Sequence, residues 1–205
     1  PVTGQQPWGR LPAADGDDGA DDDTLMARVA QGDERALRQV GQRHYAATWR
    51  LAKRLLTSEA EADDVAQEVL VRVWNHAARW TPGRAQLSTW LYTVTYRLCL
   101  DRLRGRRHAP LEAAMDVADP SDGAAETMER RSEQRRVRDA LASLPEKQRA
   151  ALVLFYYQEM PGPQASAVLG LNLRAYWSLL YRARGALERA LTKGGREPFG
   201  RKGEP

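Results

Sequence analysis

The chain has 205 residues, 42% of them apolar, which is enough for one medium-sized hydrophobic core or two small ones. Its 31 Lys and Arg residues against 27 Asp and Glu residues give a net charge of +4, which is too small to identify a polyanionic partner. The single cysteine, Cys99, excludes an internal disulfide and a thiolate-rich zinc site. Because the sequence shows no signal peptide and no apolar run of about 20 residues, the chain is predicted to be cytoplasmic, with no membrane insertion.

The first helix-forming segment follows a predicted disordered acidic tail at residues 1–22. Pro, Gly and Asp dominate this tail, and no apolar pattern in it offsets the entropy lost on ordering. From residue 23 the apolar spacing becomes helical. The inward stripe of a long amphipathic helix is formed by Leu37, Val40, His44, Thr48, Leu51 and Leu55.

Two further helices are predicted before the middle of the chain. The second covers about residues 59–78, and the Thr-Pro-Gly sequence at 81–83 ends it. Its inward stripe consists of Ala62, Val65, Val69, Val73 and Ala77. The third begins near Leu87 and contains Cys99, which is expected to be a buried, inert thiol. The inward residues of this helix are Leu91, Val94 and Leu98.

Residues 109–127 are predicted to be a flexible acidic linker. Two prolines and a glycine interrupt the helical spacing there, and the segment holds five acidic residues and no basic one. Helical spacing resumes over residues 128–192, and residues 193–205 are predicted to be a second disordered tail. No segment shows the period-two alternation of a strand. The predicted fold class is therefore all-α, with two small helical domains joined by the linker.

The second helical region has the pattern of a helix-turn-helix. Ser143 and Glu146 fit a capping box at the start of a helix that runs to about Gln158. A short helix follows, then a left-handed Gly170 and Asn172 as the N-cap of a longer helix. The inward stripe of this last helix is predicted to be Leu173, Tyr176, Leu180, Ala183, Leu187 and Leu191. Its outward residues are Arg174, Trp177, Ser178, Tyr181 and Arg182.

Patterns typical of enzymes are absent from the sequence. The histidines are His44, His76 and His108, which are far apart, and there is no H-x-x-x-H metal spacing or glycine-rich phosphate loop after a strand. His44 lies on an apolar stripe and is interpreted as a structural imidazole. We therefore expect no catalytic residue, no metal, no cofactor and no small-molecule substrate.

Two surfaces in the first helical region are candidates for binding. Asp64, Gln67, Glu68 and Val71 form a polar strip with an apolar edge beside the inward stripe of the second helix. Spacing alone favours an ordinary solvated helix face. In the third helix, aromatic residues alternate with arginines, which suits stacking on single-stranded bases beside charge that neutralises phosphates. The alternatives are core packing for the aromatic residues, with Trp90 at least partly buried, and a solvated helix end for the arginines.

Three motifs in the sequence, two of which contain these surfaces, resemble motifs of one protein family. E-A-D-D-V-A-Q-E-V-L-V-R-V-W at 61–74, S-T-W-L-Y-T-V-T-Y-R-L-C-L-D-R-L-R at 88–104 and L-P-E-K-Q-R-A-A-L-V-L-F-Y-Y at 144–157 resemble extracytoplasmic-function (ECF) sigma factors of the sigma-70 family. The resemblance implies a region 2 domain at residues 23–108 and a region 4 helix-turn-helix domain at 128–192. It also implies a non-enzymatic protein that binds core RNA polymerase, recognises the minus-thirty-five and minus-ten promoter elements and helps to melt the DNA.

The resemblance assigns roles to residues of the first domain. The helix with Asp64, Gln67, Glu68 and Val71 would dock on the clamp helices of the large polymerase subunit. The loop at 80–86 would hold a base flipped out of the minus-ten element. The residues implied for minus-ten binding and melting are Trp80, Arg84, Gln86, Thr89, Trp90, Tyr92, Thr93, Tyr96, Arg97, Arg104, Arg106 and Arg107. Arg97 stands where many relatives have an asparagine that helps to recognise the base.

In the second domain the last helix would read the minus-thirty-five element as duplex. The residues implied are Asn172, Arg174, Trp177, Ser178, Tyr181, Arg182 and Arg184. Trp177 and Leu179 replace the Lys and Arg of the common family pattern. Three roles for Trp177 stay open, namely contact with a thymine methyl group, anchoring an anti-sigma factor, and extending the core near Val168. The second is slightly favoured.

The partners implied are core RNA polymerase, through its clamp helices and flap, promoter DNA and an anti-sigma factor. Two alternatives remain at this point. One is a helix-turn-helix transcription regulator not tied to core polymerase, and the other is a helical adaptor protein whose basic cluster is incidental.

Overall fold

The computed structural model describes residues 19–108 and 128–193. Most of the predicted first tail, the predicted linker at 109–127 and residues 194–205 lie outside these ranges. The described residues form helices and connecting segments with no strand, and the all-α prediction is confirmed. The chain divides into two compact units, Pro1–Ala114 and Met115–Pro205.

The described part of the first unit contains four α-helices and a short 3₁₀ turn. They are α1 (Asp22–Ala30), α2 (Glu34–Leu56), α3 (Glu59–His76), the 3₁₀ turn Ala77–Arg79, and α4 (Leu87–His108). Asp21 caps α1, because its carboxylate accepts a hydrogen bond from Thr24 N at 2.7 Å. Asp21 and Asp22, which were predicted to belong to the tail, therefore form the start of this helix.

The core of the first unit lies where α2 packs on α3 and α4. The predicted α2 stripe is confirmed, because Leu37, Val40, Thr48, Leu51 and Leu55 are buried. The sixth member of that stripe, His44, is half-buried, and its Nε2 lies 3.0 Å from Asp22 Oδ2. The imidazole thus joins α2 to α1, in agreement with a structural role. Burial raises the pKa of Cys99 to about 12, so its thiol is neutral and inert, as predicted.

The described part of the second unit also contains four α-helices. They are α5 (Met128–Ala142), α6 (Glu146–Leu152), which continues as a π-helix over Val153–Tyr157, α7 (Gly162–Val168) and α8 (Leu173–Lys193). The predicted capping box is wrong. Pro145 is the N-cap of α6 and makes no side-chain cap, while the Ser143 hydroxyl donates to the Ala140 carbonyl at 2.8 Å. Ser143 lies in the turn that follows α5, where its own preceding helix offers the nearer acceptor.

Helices α7 and α8 form the predicted helix-turn-helix. Gly170 has φ +64°, and Asn172 Oδ1 accepts a hydrogen bond from Ala175 N at 2.8 Å. Tyr176, Leu180 and Ala183 are buried as predicted. The prediction for Leu173 is wrong, since 43% of this residue is exposed. It belongs to the first turn of α8, ahead of the part that packs on α6.

The inward face of α8 includes a residue that the predicted inward stripe left out. Leu179 is 8% exposed and joins Tyr176, Leu180 and Ala183 at spacings of three and four residues. Its burial accounts for an apolar residue at this position in the chain. The hydrophobic side chain faces the core of the second unit.

Candidate functional sites

The strip on α3 combines exposed and half-buried side chains. Asp64 and Val71 are exposed, whereas Gln67 and Glu68 are half-buried. The Glu68 carboxylate accepts a hydrogen bond from Arg72 Nη2 at 2.9 Å, and Arg102 Nη2 of α4 lies 3.5 Å from its second oxygen. This pairing holds Glu68 against the neighbouring helix. Asp64 and Val71 are therefore the most outward members of the strip.

The same face continues one helical turn further than the sequence interpretation placed it. Trp74 follows Val71 by three residues and is also a large exposed hydrophobic side chain. Extending the i, i+3, i+4, i+7 spacing by one step would have found it. The strip and Trp74 together present one acidic end and one apolar end.

The loop after α3 is tied to the first helix of the chain. Trp80 Nε1 donates to Asp23 Oδ1 at 2.7 Å, and Gly83 N donates to Asp23 Oδ2 at 2.9 Å. Gly83 has φ +72°, a backbone conformation that favours glycine. Residues 81–86 are exposed, including the predicted site residues Arg84 and Gln86. Sequence reasoning did not identify Asp23, since nothing in the spacing relates it to residues about 60 positions later.

An aromatic cluster lies next to this loop. Trp90 stacks on His76 with ring centroids 4.8 Å apart and planes within 15°. Trp80 contacts Trp90 edge to face, with centroids 6.2 Å apart. Trp90 is half-buried, which confirms its predicted partial burial. His76 was interpreted only as an isolated histidine, and the structure brings it into the cluster.

The predicted stacking residues of α4 separate into two groups. Tyr96 is 5% exposed and belongs to the core, so its prediction as a base-stacking side chain is wrong. It shares a helix face with the buried Cys99, three residues later. Tyr92 is half-buried, and this burial raises the pKa of its phenol. Thr89 and Thr93 are half-buried too, and the Thr93 hydroxyl donates to the Thr89 carbonyl at 2.8 Å.

The arginines of α4 also differ in their surroundings. Arg97 and Arg104 are exposed, and the Arg104 guanidinium is 3.7 Å from the equally exposed Asp101. Arg106 instead forms an ion pair with Glu61 of α3 and donates to the Leu56 carbonyl at 3.4 Å. The side chain of Arg107 lies outside the described part of the chain. Arg106 is exposed like Arg97 and Arg104, but its ion pair ties it to α3.

The outward face of α8 contains most of the residues predicted for duplex reading. Arg174, Ser178, Tyr181 and Arg182 are exposed, and 78% of Tyr181 is accessible. The Arg182 Nε donates to the Ser178 carbonyl at 3.3 Å. The three remaining predicted residues, Asn172, Trp177 and Arg184, are exposed too. Asn172 caps the helix, and the Arg184 guanidinium lies 5.6 Å and 5.4 Å from the rings of Phe155 and Tyr156.

Trp177 is held partly against its own domain. It is 43% exposed, and its ring lies 5.7 Å from that of Phe155 in an edge-to-face arrangement. A Cβ atom placed on Gly162 would be 2.5 Å from the Trp177 ring. The indole therefore covers the start of α7, at the opposite end of that helix from Val168.

The described residues, 19–108 and 128–193, contain neither a candidate metal centre nor a candidate membrane span. In these ranges, no cluster of three or more His, Cys, Asp or Glu side chains could hold a metal ion. No helix within them has the length and apolar character required to cross a membrane.

Both units match family models of known proteins. Sigma-70 region 2 matches residues 42–109, and sigma-70 region 4 matches residues 134–187. Two such regions on one chain define a transcription initiation factor of the sigma class.

Relatives identify the group within that class. The chain is 31% identical over 155 residues to the ECF RNA polymerase sigma factor SigK of Mycolicibacterium vanbaalenii, covering 74% of this chain and 79% of that protein. It is 31% identical over 180 residues to the RNA polymerase sigma factor CnrH of Cupriavidus metallidurans, covering 83% and 94%. The chain belongs to the sigma-70 family, in its ECF group.

Solved structures share the fold. CnrH in complex with the cytosolic domain of CnrY superposes with a TM-score of 0.65 at 28% identity, covering 84% of this chain and 97% of that one. RpoE in complex with the anti-sigma factor NepR from Bartonella quintana gives a TM-score of 0.64 at 21% identity, covering 78% and 98%. The predicted family and the predicted two-domain fold are confirmed. A helix-turn-helix regulator unrelated to polymerase is not favoured, because such a protein would not need region 2.

Proposed function

We propose that this ECF sigma factor binds core polymerase and promoter DNA through three separate surfaces. The strip on α3 binds core polymerase, the loop at 80–86 with the exposed part of α4 captures a minus-ten base, and α8 reads the minus-thirty-five duplex. The observation that carries the proposal is the exposed loop at 81–86 beside the stacked Trp90 and His76 rings and the exposed arginines of α4.

Binding of core polymerase is assigned to the strip because of its chemistry. Asp64 supplies an exposed carboxylate, and Val71 and Trp74 supply exposed apolar area on the same helix. An apolar centre with charged residues at its edge is typical of protein interfaces. Glu68 contributes less than Asp64 to binding of core polymerase, because Arg72 and Arg102 already pair with its carboxylate.

Reversal of charge in the strip tests this assignment. Asp64→Lys combined with Glu68→Lys should weaken assembly with core polymerase at least thirtyfold, the range expected of interface hot spots. The matched control is Glu34→Lys combined with Asp101→Lys, which makes the same charge change at exposed sites outside the strip. Equal affinity of the two folded variants for core polymerase would refute the assignment.

Capture of a single-stranded base is assigned to the loop and α4. Aromatic rings beside exposed guanidinium groups suit stacking and phosphate neutralisation together. Extruding a base costs a few kcal/mol, so the loop must supply contacts that offset this energy. Trp80→Ala should therefore slow strand opening, followed with a fluorescent base in the minus-ten region, more than it weakens closed-complex binding. Run-off transcription on a pool of genomic promoters would supply the template.

Control by an anti-sigma factor is part of the proposal. Both solved relatives described above are complexes, CnrH with CnrY and RpoE with NepR, and similarity of fold supports a partner of the same kind here. The chain would act in the cytoplasm without a cofactor, metal or small-molecule substrate. It would have no catalytic residue of its own, since nucleotidyl transfer belongs to the polymerase.

A further inference from the structure

One carboxylate joins the first helix of the chain to the loop that follows the 3₁₀ turn. Asp23 lies in the first turn of α1 and accepts hydrogen bonds on both oxygens, from Trp80 Nε1 at 2.7 Å and from Gly83 N at 2.9 Å. The N-cap of α1 is Asp21, so Asp23 has no capping duty in its helix. Both oxygens of Asp23 are therefore engaged by the loop.

One donor, Trp80, precedes the turn in this loop, and the other, Gly83, lies within it. The backbone hydrogen bonds of the loop run from Trp80 N to the Ala77 carbonyl at 3.1 Å, from Arg84 N to the Thr81 carbonyl at 3.4 Å, and from Trp90 N to the Gln86 carbonyl at 3.2 Å. Hydrogen bonds to an ionised acceptor are roughly twice as strong as neutral ones. Asp23 thus fixes both the indole of Trp80 and the left-handed Gly83.

Fixing the indole also fixes its contact with the aromatic cluster. The edge of Trp80 meets Trp90, which in turn stacks on His76. Rotation of Trp80 about its side-chain torsions would break this contact and change the shape of the surface beside the exposed loop. The geometry of the loop therefore depends on a residue of α1.

We infer that Asp23 is a positioning residue for base capture. Through Trp80 and Gly83 it holds the loop in the conformation that receives the flipped base, and it does not contact the DNA itself. This inference rests on the proposed role of the loop at 80–86. It brings α1 into promoter recognition, a part of the chain that carries none of the predicted site residues.

A pair of isosteric substitutions separates positioning from charge. Asp23→Asn keeps the side-chain shape, but its single carbonyl oxygen can accept from only one of the two donors, and its amide group opposes the other. Asp21→Asn removes the same charge two residues away and leaves the loop bonds intact. Asparagine is a good N-cap, so this control preserves the start of α1.

The measurement uses holoenzyme assembled from the full chain and a promoter recovered by run-off transcription. Premelted minus-ten probes carry each of the four bases, or an abasic site, at the flipped position, which is first located with a fluorescent base. Asp23→Asn should lower the ratio of affinities for the best base and the abasic site about tenfold. Asp21→Asn should change the ratio less than twofold, and affinity for the abasic probe should stay constant in both variants. A purely structural defect would weaken binding to all five probes alike.

A second variant covers the possibility that Asp23→Asn unfolds. Trp80→Phe keeps an aromatic ring but lacks the indole N–H, and it should reproduce much of the lost discrimination. If wild-type protein discriminates and Asp23→Asn behaves like Asp21→Asn, the positioning role is wrong while the role of the loop stands. If wild-type protein binds all five probes equally, the proposed loop function fails, and the inference fails with it.

Discussion

Trp177 restricts position 162 within the helix-turn-helix. The indole lies where a side chain at position 162 would extend, so a tryptophan in this place on α8 requires a glycine at the start of α7. The edge-to-face contact with Phe155 holds the ring in this place. Of the three roles left open for Trp177, packing against its own domain thus has direct structural support, although the packing is at Gly162 and not at Val168.

We expect Gly162→Ala to destabilise the second unit by about 1–3 kcal/mol, because the added methyl group overpacks against the indole. Combining it with Trp177→Ala should give a smaller loss than the sum of the two single effects. Native-state hydrogen exchange of amides in α7 and α8 measures both. The matched control is Gly185→Ala, where the new Cβ would meet only Arg189 Nη1 at 3.5 Å. That change should stabilise the helix by about 0.5–1 kcal/mol, and a similar gain from Gly162→Ala would contradict the constraint.

Cys99 provides a chemical probe of the first unit, since it is the single cysteine of the chain. Burial raises its pKa to about 12, so far less thiolate is present at pH 8 than for a cysteine of ordinary pKa. We expect a disulfide reagent at pH 8 to react with native protein at least about a hundredfold more slowly than with denatured protein. Reaction at comparable rates in the two states would show that α4 does not bury the thiol in solution.

At the scale of the element, α4 changes character along its length. Its first half packs Leu91, Thr95 and Tyr96 into the core, while Arg104 near its end extends toward solvent. The Arg106 side chain is paired within the protein, because its ion pair with Glu61 ties the end of α4 to the start of α3. Arginines that are neighbours in sequence therefore need not act alike on DNA.

This difference gives a prediction for salt dependence. Arg104→Ala should reduce the slope of log affinity against log salt by about 0.7–0.9, the value of one phosphate contact, because its pair with Asp101 is exposed and weak. Arg106→Ala should leave the slope unchanged, since its guanidinium is occupied within the protein. Filter-binding titrations of holoenzyme with promoter DNA at several salt concentrations measure both slopes. Equal changes in the two variants would show that Arg106 leaves Glu61 to contact phosphate.

Helical spacing predicted the helices and most of their buried faces, but it could not resolve positions at the margins of a stripe. Leu173 has the correct spacing for the core, yet it lies in the first turn of α8 and stays exposed. Tyr96 looked suited to base stacking, yet its face is shared with Cys99 and is buried. The spacing of apolar residues within one helix does not reveal which other element packs against it. The same reason hid Asp23, whose partners are distant in sequence.

At the scale of the whole molecule, the proposed surfaces are distributed over two compact units. The polymerase and minus-ten surfaces belong to the first, and the duplex-reading face of α8 belongs to the second. The predicted linker at 109–127, with five acidic residues, connects the two units in the sequence. Tethered modules gain affinity from the high effective concentration that a linker provides, provided that each is folded. The predicted bounds of the two domains, 23–108 and 128–192, stay a prediction, and whether the two units unfold independently can be tested with one core substitution in each.

Leu51 in α2 and Leu180 in α8 are both almost fully buried, so truncation of either to alanine should cost about 2–5 kcal/mol within its own core. If the units are separate domains, Leu51→Ala should lower amide protection throughout α1 to α4 and leave α5 to α8 unchanged. Leu180→Ala should do the reverse. Hydrogen exchange resolved by segment measures both effects. Each variant serves as the control for the other, because both truncate a buried leucine to alanine. A loss of protection spread over both units in either variant would mean that the chain unfolds as one cooperative body.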